Sequence, residues 1–417
     1  MPLELLTIGT ELLLGFTVDT NAAEIGRALS AAGVQVTRKA SVGDTGPAIV
    51  AGVQEALART GAVLCTGGLG PTADDITKKV VADLYGWPLE FHEEIWQNLV
   101  DRFARFGRKP VEKNRSQAEV PRGAVVLPNR WGTAPGLWFE GPPGLVILLP
   151  GVPSEMRGLL QHEVLPRLAA RAGNTVIRSR ALRTTGVPES TLAERITGIE
   201  ELVAPLSLAY LPSIYGVDLR LTAWNLPPAE ADARLASGLT AIRERASEWI
   251  YGEDAVDLAA VLLDDARRRG WKLATAESCT GGGIGERLTA IPGSSEVYLG
   301  GVVAYDNAVK RSLLDVPAAL IEQHGAVSEP VAEAMVRGIT RRLGTELGIA
   351  VTGIAGPGGG TPEKPVGLVY IATQVRDRVS VLRATMIGDR AEIRGRAGQV
   401  AMNKLRLEME TETAPRP

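Results

Sequence analysis

Two glycine-rich turns in this sequence lie next to side chains that could carry out hydrolytic chemistry. The first, LCTGGLGPTADD at residues 64–75, ends in a pair of acids, Asp74 and Asp75. The second, SCTGGG at residues 278–283, begins with a serine, Ser278. Adjacent carboxylates can hold Mg²⁺ or Mn²⁺ against phosphate oxygens, whereas a serine at a turn is a candidate nucleophile. The two turns therefore indicate two separate chemistries.

The glycines of the first turn, Gly67, Gly68 and Gly70, would let the main chain approach a ligand closely. Thr72 is predicted to cap the helix that follows, with Asp75 at the capping-box position. Taken by itself, this segment is explained equally well as a structural glycine turn followed by a helix. Acidic residues in the first turn of a helix stabilise any helix and do not require a ligand.

Three further turns contain residues of the same kind and favour a binding site. They are TIGTELLLG (7–15), NRWGTAPG (129–136) and LPGVPSEM (149–156). The first supplies Glu11 and the last supplies Glu155, each after a predicted strand. Open α/β sheets bind ligands at the carboxyl ends of their strands. We expect Glu11 and Glu155 to lie at the same site as Asp74 and Asp75.

Ser278 follows a predicted strand, and the amides of residues 279–281 could stabilise an oxyanion. A serine nucleophile needs a base, and the sequence offers two candidates. His324 lies between two predicted helical segments, where a lone histidine is more often structural. Lys310 is the better candidate, but most lysines are solvated, and burial or a nearby cation must lower its pKa from about 10.4. Cys279 is interpreted as a small buried residue.

The strand and helix patterns place these turns in an α/β framework of three predicted domains. In residues 1–172, strands alternate with helices, which predicts a doubly wound parallel sheet with helices on both faces. The predicted strands are 3–9, 34–42, 61–68 and 144–151, and the helices are 20–32, 46–60, 73–85 and 154–171. Residues 173–252 are predicted to form a small α+β linking module, with strands at 176–186 and 216–225 and helices at 188–198 and 228–246. Residues 253–417 form a third, α/β domain, with helices at 255–269, 329–344 and 390–409, strands at 271–278, 348–356, 366–375 and 378–386, and a frayed tail at 412–417.

Composition argues against several classes of function. The formal net charge is −3 and the pI is about 5.9, so we expect no nucleic-acid partner. No apolar run reaches the roughly 18 residues of a membrane span, and the start does not resemble a signal peptide, so we expect a cytoplasmic protein. Three histidines and two distant cysteines argue against a zinc site and a disulfide framework. Any metal should be a hard cation bound by oxygen.

The motifs of residues 1–172 resemble the molybdopterin-binding-like domain of the CinA (competence/damage-inducible) family. TIGTELLLG, TGGLGPTADD, GTAPG and LPGVPSEM occur in that order. The resemblance implies a fold shared with molybdenum-cofactor biosynthesis proteins, and a pyrophosphatase that cleaves ADP-ribose with Mg²⁺, Mn²⁺ or Co²⁺. The site residues it implies are Glu11, Gly68, Asp74, Asp75, Asn114, Gly132, Thr133 and Glu155. It does not distinguish acids that bind metal from acids that cap helices.

The third domain resembles the nicotinamide mononucleotide (NMN) amidohydrolase family, the CinA C-terminal domain, over nearly all of residues 254–410. AESCTGG, GGVVAYDNAVK, HGAVSEPVAEAM and TGIAGPGGGTPEKPVGLVY carry the resemblance. It implies hydrolysis of NMN to nicotinate mononucleotide and ammonia without a cofactor. The roles it implies are Ser278 as nucleophile, Lys310 as base, Tyr305 relaying or orienting the proton, and Thr280, Gly281 and Thr352 lining the pocket. Arg390 is a candidate phosphate clamp, because guanidinium binds phosphate in a bidentate manner.

Taken together, these observations predict a bifunctional enzyme of pyridine-nucleotide salvage. Both expected substrates, NMN and ADP-ribose, are breakdown products of NAD. We expect the linking module to orient the two enzymes and the chain to form a homodimer. The alternative is a nucleotide- or pterin-binding regulatory protein associated with competence, with little or no turnover in its N-terminal domain. Release of ammonia from NMN distinguishes the two.

Overall fold

A computed structural model describes residues 1–173 and 175–412 of the chain. Most of the tail predicted to fray, residues 413–417, lies outside the described residues. The chain forms two compact units: Met1–Arg178 with Ala223–Arg234, and Ser179–Thr222 with the residues from Leu235 onward. Among the described residues, no helix combines the length and the apolar character needed to cross a bilayer.

The first unit contains a six-stranded sheet in the order β2-β1-β3-β8-β7-β6, and β4 pairs with β5 beside it. Its strands are β1 (Pro2–Ile8), β2 (Gln35–Val42), β3 (Ala62–Thr66), β4 (Leu89–Phe91), β5 (Glu119–Pro121), β6 (Val125–Leu127), β7 (Gly136–Gly141) and β8 (Gly144–Leu149). Its helices are α1 (Thr10–Leu13), α2 (Thr20–Ala31), α3 (Gly46–Thr60), α4 (Thr77–Tyr85), α5 (Glu93–Arg105), α6 (Pro153–Leu159) and α7 (Leu165–Ala172). A 3-10 helix spans Glu112–Ala118 and a π-helical segment spans Leu160–Val164.

Both faces of this sheet are covered, as the alternating pattern predicts. In β1, Leu3 and Leu5 belong to one buried apolar cluster with residues of α2 and α6, whereas Leu6 and Ile8 belong to a second cluster with residues of α3 and α4. Strands buried on both faces are typical of parallel α/β sheets. The α/β fold class is therefore confirmed.

The structure corrects two details of the predicted framework. The sheet is mixed, because β7 pairs antiparallel with both β6 and β8, and only β2, β1, β3 and β8 are mutually parallel. The turn from Gly141 to Gly144 is too short for the crossover that a parallel pair requires. The helix predicted over 154–171 contains the π-helical segment between α6 and α7.

The linking segment has a four-stranded sheet in the order β10-β11-β9-β12. Its elements are β9 (Val176–Thr184), α8 (Glu189–Arg195), α9 (Ile199–Val203), β10 (Ser207–Ser213), β11 (Gly216–Leu226), α10 (Pro228–Ala246) and β12 (Ile250–Glu253), with a 3-10 turn at Ser247–Trp249. The sequence predicted β9, α8, β11 and α10, whereas β10 and β12 were missed.

The C-terminal part is built on a five-stranded sheet in the order β14-β13-β15-β16-β17. The strands are β13 (Leu273–Glu277), β14 (Tyr298–Val303), β15 (Leu347–Gly353), β16 (Leu368–Val375) and β17 (Arg378–Thr385). The helices are α11 (Leu258–Arg269), α12 (Gly283–Thr289), α13 (Asn307–Leu314), α14 (Ala318–His324), α15 (Glu329–Leu343) and α16 (Arg390–Thr411), with a 3-10 turn at Ser294–Glu296. β13, β14 and β15 are parallel, whereas β16 and β17 run antiparallel.

Candidate functional site

Ser278 lies directly after β13, at the sheet edge where β13 and β15 end. Its amide donates to Val351 O at 2.9 Å, which anchors it to β15. The chain then turns, because the Gly281 amide donates back to Ser278 O at 3.0 Å. Gly281 and Gly282 have φ values of 62° and 91°, which residues with a Cβ rarely adopt. The turn leaves the Ser278 side chain on the wall of a cavity.

This turn limits which amides can stabilise an oxyanion. The Gly281 amide is already bonded to Ser278 O, so it does not serve as the sequence suggested. The Cys279 and Thr280 amides have no main-chain acceptor within the described part of the chain, but both interact with the Cys279 sulfur. Of the three predicted oxyanion donors, the Gly281 amide is therefore excluded.

Glu277, the last residue of β13, holds the helix that follows the turn, and sequence analysis missed this role. Its carboxylate is 2% exposed. It accepts hydrogen bonds from the Ile284 amide at 3.0 Å and the Gly285 amide at 2.8 Å, at the start of α12. Amides in the first turn of a helix lack partners within the helix, and an anion is stabilised there. Glu277 therefore connects the strand before Ser278 to the helix after it.

Replacing Glu277 with alanine should destabilise the C-terminal part of the chain by about 3 kcal/mol, because two amides lose their only acceptor. Thermal unfolding of the full chain, followed by calorimetry, would measure the effect. Glu277→Gln keeps one carbonyl oxygen and should lose less. Equal losses in the two variants would contradict a capping role for this carboxylate.

Lys310 is almost completely buried, with 1% of its surface exposed. It lies in the first turns of α13, and its Nζ donates to Ala304 O at 2.9 Å and to Tyr305 O at 3.2 Å. Burial lowers the pKa of the Lys310 ammonium from its ordinary value, and the nearby Asp306 carboxylate opposes this effect. Lys310 thus meets the condition that a lysine base requires.

The two carbonyl acceptors accommodate Lys310 in either protonation state. A neutral amine would bond them with its two hydrogens and keep its lone pair for a proton, whereas an ammonium would keep one further hydrogen to donate. Ser278 and Lys310 line the same cavity. Within the described residues, the hydrogen bonds of Lys310 Nζ go to Ala304 O and Tyr305 O and not to Ser278. Catalytic hydrogen bonds are often long without substrate and shorten when it binds.

Tyr305 and Arg390 form a pair at the same cavity. Arg390, the first residue of α16, donates from Nη2 to the Tyr305 hydroxyl at 2.7 Å and from Nη1 to Gly356 O at 2.5 Å. The Tyr305 side chain is 61% exposed, so it lies at the cavity rim. The hydroxyl of Tyr305, the residue predicted to relay or orient the proton, is therefore bonded to Arg390. The sequence did not suggest this contact.

Of the three remaining residues predicted to line this pocket, one lies on its wall and two do not. Thr352 lines the cavity and donates its hydroxyl to Ala326 O at 2.8 Å. Thr280 and Gly281 are not among the lining residues, which differs from the prediction. The turn buries the Thr280 side chain, and Thr280 O accepts a hydrogen bond from Arg394 at 2.9 Å. Arg394, missed in the sequence, thereby anchors the turn from α16.

Neither His324 nor Cys279 is placed for the catalytic role. His324 ends α14 outside the cavity lining, and its carbonyl accepts a hydrogen bond from Lys364. Cys279 is 5% exposed, and burial raises the pKa of its thiol to about 12. A thiol with so high a pKa is not a nucleophile near neutral pH. The interpretation of Cys279 as a buried packing residue agrees with this environment.

The C-terminal cavity has a volume of about 270 Å³. Its functional lining residues are Ser278, Tyr305, Lys310, Thr352 and Arg390. The turns around Ala326 and Gly356 complete the wall. A nucleophile, a buried amine and a guanidinium therefore face one space. Such an arrangement can hydrolyse an acyl compound that carries an anionic group.

In the N-terminal unit, the glycine turn and the LPG turn lie side by side at the sheet edge. Thr66 Oγ1 donates to Pro150 O at 3.0 Å, and the Gly67 amide donates to Leu149 O at 3.0 Å. A Cβ on Gly67 would lie 2.1 Å from Ile8 O, and one on Gly68 would lie 2.1 Å from Thr77 Oγ1. The ends of β1, β3 and β8 thus meet, and only glycine fits between them.

Two short networks join predicted residues of this unit. Asn114 Nδ2 donates to Gln117 Oε1 at 3.1 Å, and Gln117 Nε2 donates to Thr133 Oγ1 at 3.1 Å. Asn129 Nδ2 donates to Glu155 Oε2 at 2.6 Å. Gly132 lies so close to Glu155 that a Cβ there would be 1.7 Å from its carboxyl carbon. Gln117 and Asn129 were missed, although each lies within a few residues of a predicted one.

The four predicted metal-binding acids do not form one cluster. Within residues 1–173 and 175–412, no three His, Cys, Asp or Glu side chains come close enough to hold a metal ion. Thr72, the predicted cap, does not cap α4, because α4 begins only at Thr77, and Asp75 instead accepts hydrogen bonds from the Thr72 amide and hydroxyl. A hydrogen bond from Thr72 also lowers the pKa of Asp74. The residues present do not fit a metal bound by protein ligands alone.

Lys78 is a further residue that the sequence analysis missed. Its Nζ donates to Ser116 O in the 3-10 helix that carries Asn114. Burial lowers the pKa of Lys78 to about 8. Lys78 directly follows the motif TGGLGPTADDIT, so its position in the sequence could have identified it as a candidate site residue. Lys78 connects α4 to the Asn114 network.

Three family models match successive parts of the chain. Residues 4–170 match the model of a probable molybdopterin binding domain, residues 179–252 that of the damage-inducible protein CinA KH domain, and residues 255–409 that of the CinA C-terminal domain. The structure of the competence/damage inducible protein CihA from Agrobacterium tumefaciens is 41% identical, with a TM-score of 0.36, over 37% of this chain and 94% of that one.

Full-length relatives are also similar. A CinA-like protein of Gemmatimonas aurantiaca is 52% identical over 410 residues, covering 97% of this chain and 96% of that protein. A putative competence-damage inducible protein of Symbiobacterium thermophilum is 45% identical over 378 residues, covering 90% of this chain and 89% of that protein. The chain therefore belongs to the CinA family, with a molybdopterin-binding-type domain followed by a CinA KH and a CinA C-terminal domain.

Proposed function

We propose that the C-terminal cavity hydrolyses the carboxamide of NMN to give nicotinate mononucleotide and ammonia. The observation that carries this proposal is that Lys310, which is buried, lines the same cavity as Ser278. A buried lysine with a lowered pKa, close to a serine at a glycine turn, is suited to activate that serine.

In the proposed reaction, neutral Lys310 takes the proton of Ser278 Oγ as that oxygen attacks the carboxamide carbon. The Cys279 and Thr280 amides stabilise the negative oxygen of the tetrahedral intermediate. The C–N bond then breaks, and the Lys310 ammonium returns the proton so that ammonia leaves. Water then attacks the acyl-serine as Lys310 takes one of its protons. The ester C–O bond breaks, the Lys310 ammonium returns that proton to Ser278 Oγ, and the released acid loses its remaining proton to solvent as the nicotinate carboxylate.

Arg390 and Tyr305 would orient the rest of the nucleotide. Arg390 uses one donor on Tyr305 and one on Gly356 O, and its remaining N–H groups can bind the phosphate of NMN. In this role Tyr305 positions Arg390 at the cavity rim. Its hydroxyl can still pass a proton between Lys310 and the leaving ammonia.

The amidase proposal is tested by incubating the purified full chain with NMN. We expect ammonia and nicotinate mononucleotide in equal amounts, measured by a coupled ammonia assay and by chromatography. Binding of NMN without ammonia release would reject the amidase and favour the regulatory, nucleotide-binding alternative.

For the N-terminal domain we propose hydrolysis of ADP-ribose to AMP and ribose 5-phosphate with a divalent cation. The ends of β1, β3 and β8, the Asn114 network and the exposed Asp74 support a site for an anionic ligand at this edge. The acids there do not form a cluster, and Mg²⁺ is commonly bound by one or two carboxylates together with substrate phosphates. The cation would therefore enter with the pyrophosphate.

Removing divalent cations with EDTA should lower ADP-ribose hydrolysis about 100-fold, because a metal typically contributes several kcal/mol at a phosphoryl centre. Mg²⁺, Mn²⁺ or Co²⁺ should restore the rate. In calorimetry, Mn²⁺ should bind detectably only when AMP is also present. Tight Mn²⁺ binding to the free chain would contradict a cation that enters with its substrate, and hydrolysis unaffected by EDTA would contradict metal dependence.

Several expectations from the sequence stay predictions. They are the homodimer, the lack of a cofactor in the C-terminal domain, the lack of a nucleic-acid partner, and domain boundaries at 172 and 252. Sedimentation velocity of the full chain tests the first of these.

A further inference from the structure

The last helix, α16, is contacted along one face by the linking segment. It meets this segment at Gly395, Gln399 and Asn403, which are spaced four residues apart and so lie on one face of the helix. Gln399 Nε2 donates to Thr185 Oγ1 at 3.2 Å, and both side chains are buried. The contacting part of the linking segment, Ser179–Thr222, belongs to the same compact unit as α16. α16 is therefore packed against the linking segment as well as against the sheet.

The closest approach to α16 is made by the tip of the β10–β11 hairpin, residues 213–216. A Cβ on Gly395 would lie 2.7 Å from Ile214 Cδ1 and 3.8 Å from the ring of Tyr215. Glycine in the interior of a helix is destabilising relative to alanine. The close approach of the hairpin tip gives a physical reason for a glycine at this position of α16.

Arg287 of α12 holds the hairpin tip in place. Its guanidinium carbon lies 4.5 Å from the centroid of the Tyr215 ring, within the range of a cation–π interaction. The same guanidinium donates from Nη1 to Gln399 Oε1 at 2.9 Å and from Nη2 to the Asp257 carboxylate at 2.9 Å. The hairpin tip therefore rests on α12, which follows the Ser278 turn, as well as on α16.

The contact with the hairpin tip is close to the end of α16 that lies at the cavity. Gly395 is five residues from Arg390, the first residue of the helix, which is about 7.5 Å along the axis. Another face of α16 packs into the apolar core of the sheet through Ile393 and Ala397. Because both faces are packed, the start of the helix cannot shift without losing contacts. Binding of a phosphate by a guanidinium depends on direction, so a shift would weaken it.

We propose that the hairpin tip positions Arg390 for the phosphate of the substrate by fixing the start of α16. Ile214 and Tyr215 lie outside the cavity lining, so they act as positioning residues. The inference rests on the proposed NMN hydrolysis and gives the linking segment a part in that reaction. It predicts that loss of the tip weakens binding of the substrate and leaves the chemical step at Ser278 and Lys310 nearly unchanged.

The double variant Ile214→Ala/Tyr215→Ala of the full chain tests the proposal. Its KM for NMN should rise about 5-fold, with kcat changed less than about twofold, because a displaced Arg390 weakens a charge-assisted contact without removing it. Calorimetry should give a matching rise in the Kd for NMN. Tyr215→Phe keeps the ring beside Arg287 and should retain the parent KM. Leu202→Ala, on an exposed residue of α9 in the same segment, should also retain it.

A second variant displaces the hairpin tip without removing any of its side chains. Gly395→Leu places a side chain where Ile214 lies, and it should raise the KM for NMN by a similar factor. Leucine favours a helix, so α16 itself should not be weakened. A fall in kcat with an unchanged KM in these variants would show general damage to the site and would overturn the positioning role.

Combined variants test whether the hairpin tip acts through Arg390. Arg390→Gln alone should raise the Kd for NMN about 20-fold, because it removes a charged hydrogen-bond donor. Adding the two tip substitutions to Arg390→Gln should raise the Kd no further. Additive losses would show that the tip acts by another route and would reject the inference.

The two proposals fail in different ways. If the chain hydrolyses NMN and the tip variants have the parent KM and Kd, the positioning role is rejected while the activity stands. If NMN binds with an affinity that depends on the tip but no ammonia is released, the activity is rejected and the positioning role stands. If the parent chain does not bind NMN, both are rejected.

Discussion

Replacing Ser278 with alanine is expected to lower NMN hydrolysis by about 10⁴-fold or more, because the neighbouring Cys279, which also lines the cavity, has a thiol whose pKa is raised by burial to about 12. The C–N bond of an amide is broken by an attacking oxygen, and Ser278 supplies it next to the Lys310 amine. The variant should still bind NMN, since Arg390 and Thr352 are unchanged. Ammonia release and equilibrium binding of NMN, measured on the same preparation, separate the two effects.

Cys279 provides a matched control for this experiment, because it is the neighbouring residue on the same turn. Its thiol is buried and its pKa is raised to about 12, so Cys279→Ala should keep the reaction within a few-fold of the parent rate. A small loss of stability is expected from the cavity it leaves. Loss of activity in Cys279→Ala together with retention in Ser278→Ala would show that the nucleophile is the thiol.

Replacing Lys310 with arginine is expected to lower NMN hydrolysis by about 10³-fold. Arginine keeps a positive charge and hydrogen-bond donors, but it does not lose its proton at accessible pH. The parent rate should rise with pH as Lys310 becomes neutral, and it should level off below the pH expected for an ordinary lysine, since burial lowers the pKa. The rise should be absent in Lys310→Arg. Steady-state rates over a range of pH measure both effects.

Two further variants make the assignment of the base specific. His324→Ala should keep most of the activity, because that side chain lies outside the cavity lining. Asp306→Asn removes the carboxylate that raises the pKa of Lys310, and asparagine can still cap α13. The rise in rate should therefore move to lower pH in Asp306→Asn. An unchanged profile in that variant would argue that another group titrates.

Much of the C-terminal site could be predicted from local sequence patterns. The glycines after Ser278 indicate a sharp turn, and the apolar run before it predicts β13, so Ser278 had to follow a strand end. Lys310 and Tyr305 were recognised only through their place in the motif GGVVAYDNAVK. Hydrophobic periodicity alone did not distinguish Lys310 from a surface lysine, because the burial of a side chain depends on packing between distant segments.

The N-terminal site was predicted less completely. Three of the four turns follow the parallel strands β1, β3 and β8, whose ends share an edge of the sheet. The fourth, residues 129–136, precedes the antiparallel strand β7, which begins at the same edge. Their acids, however, differ in direction and partner: Asp75 is bonded to Thr72, and Glu155 is bonded to Asn129. Side-chain direction depends on where each helix begins, and α4 begins four residues later than its sequence pattern predicted. Residue type therefore identified the acidic residues, but it did not predict which of their side chains lie close together.

The amino-acid sequence by itself determined the α/β class, the alternation of β1, β2, β3 and β8 with helices, and the glycine turns that carry Ser278 and Asp74, because these depend on local periodicity and backbone conformation. Tertiary structure alone decided that Lys310 is buried against two carbonyl groups, that Arg390 bonds to Tyr305, and that Glu277 caps α12. These contacts join residues that are far apart in the chain or on different elements. The energies of these contacts depend on desolvation and on hydrogen-bond direction in the packed protein. No single segment of the sequence encodes either of these.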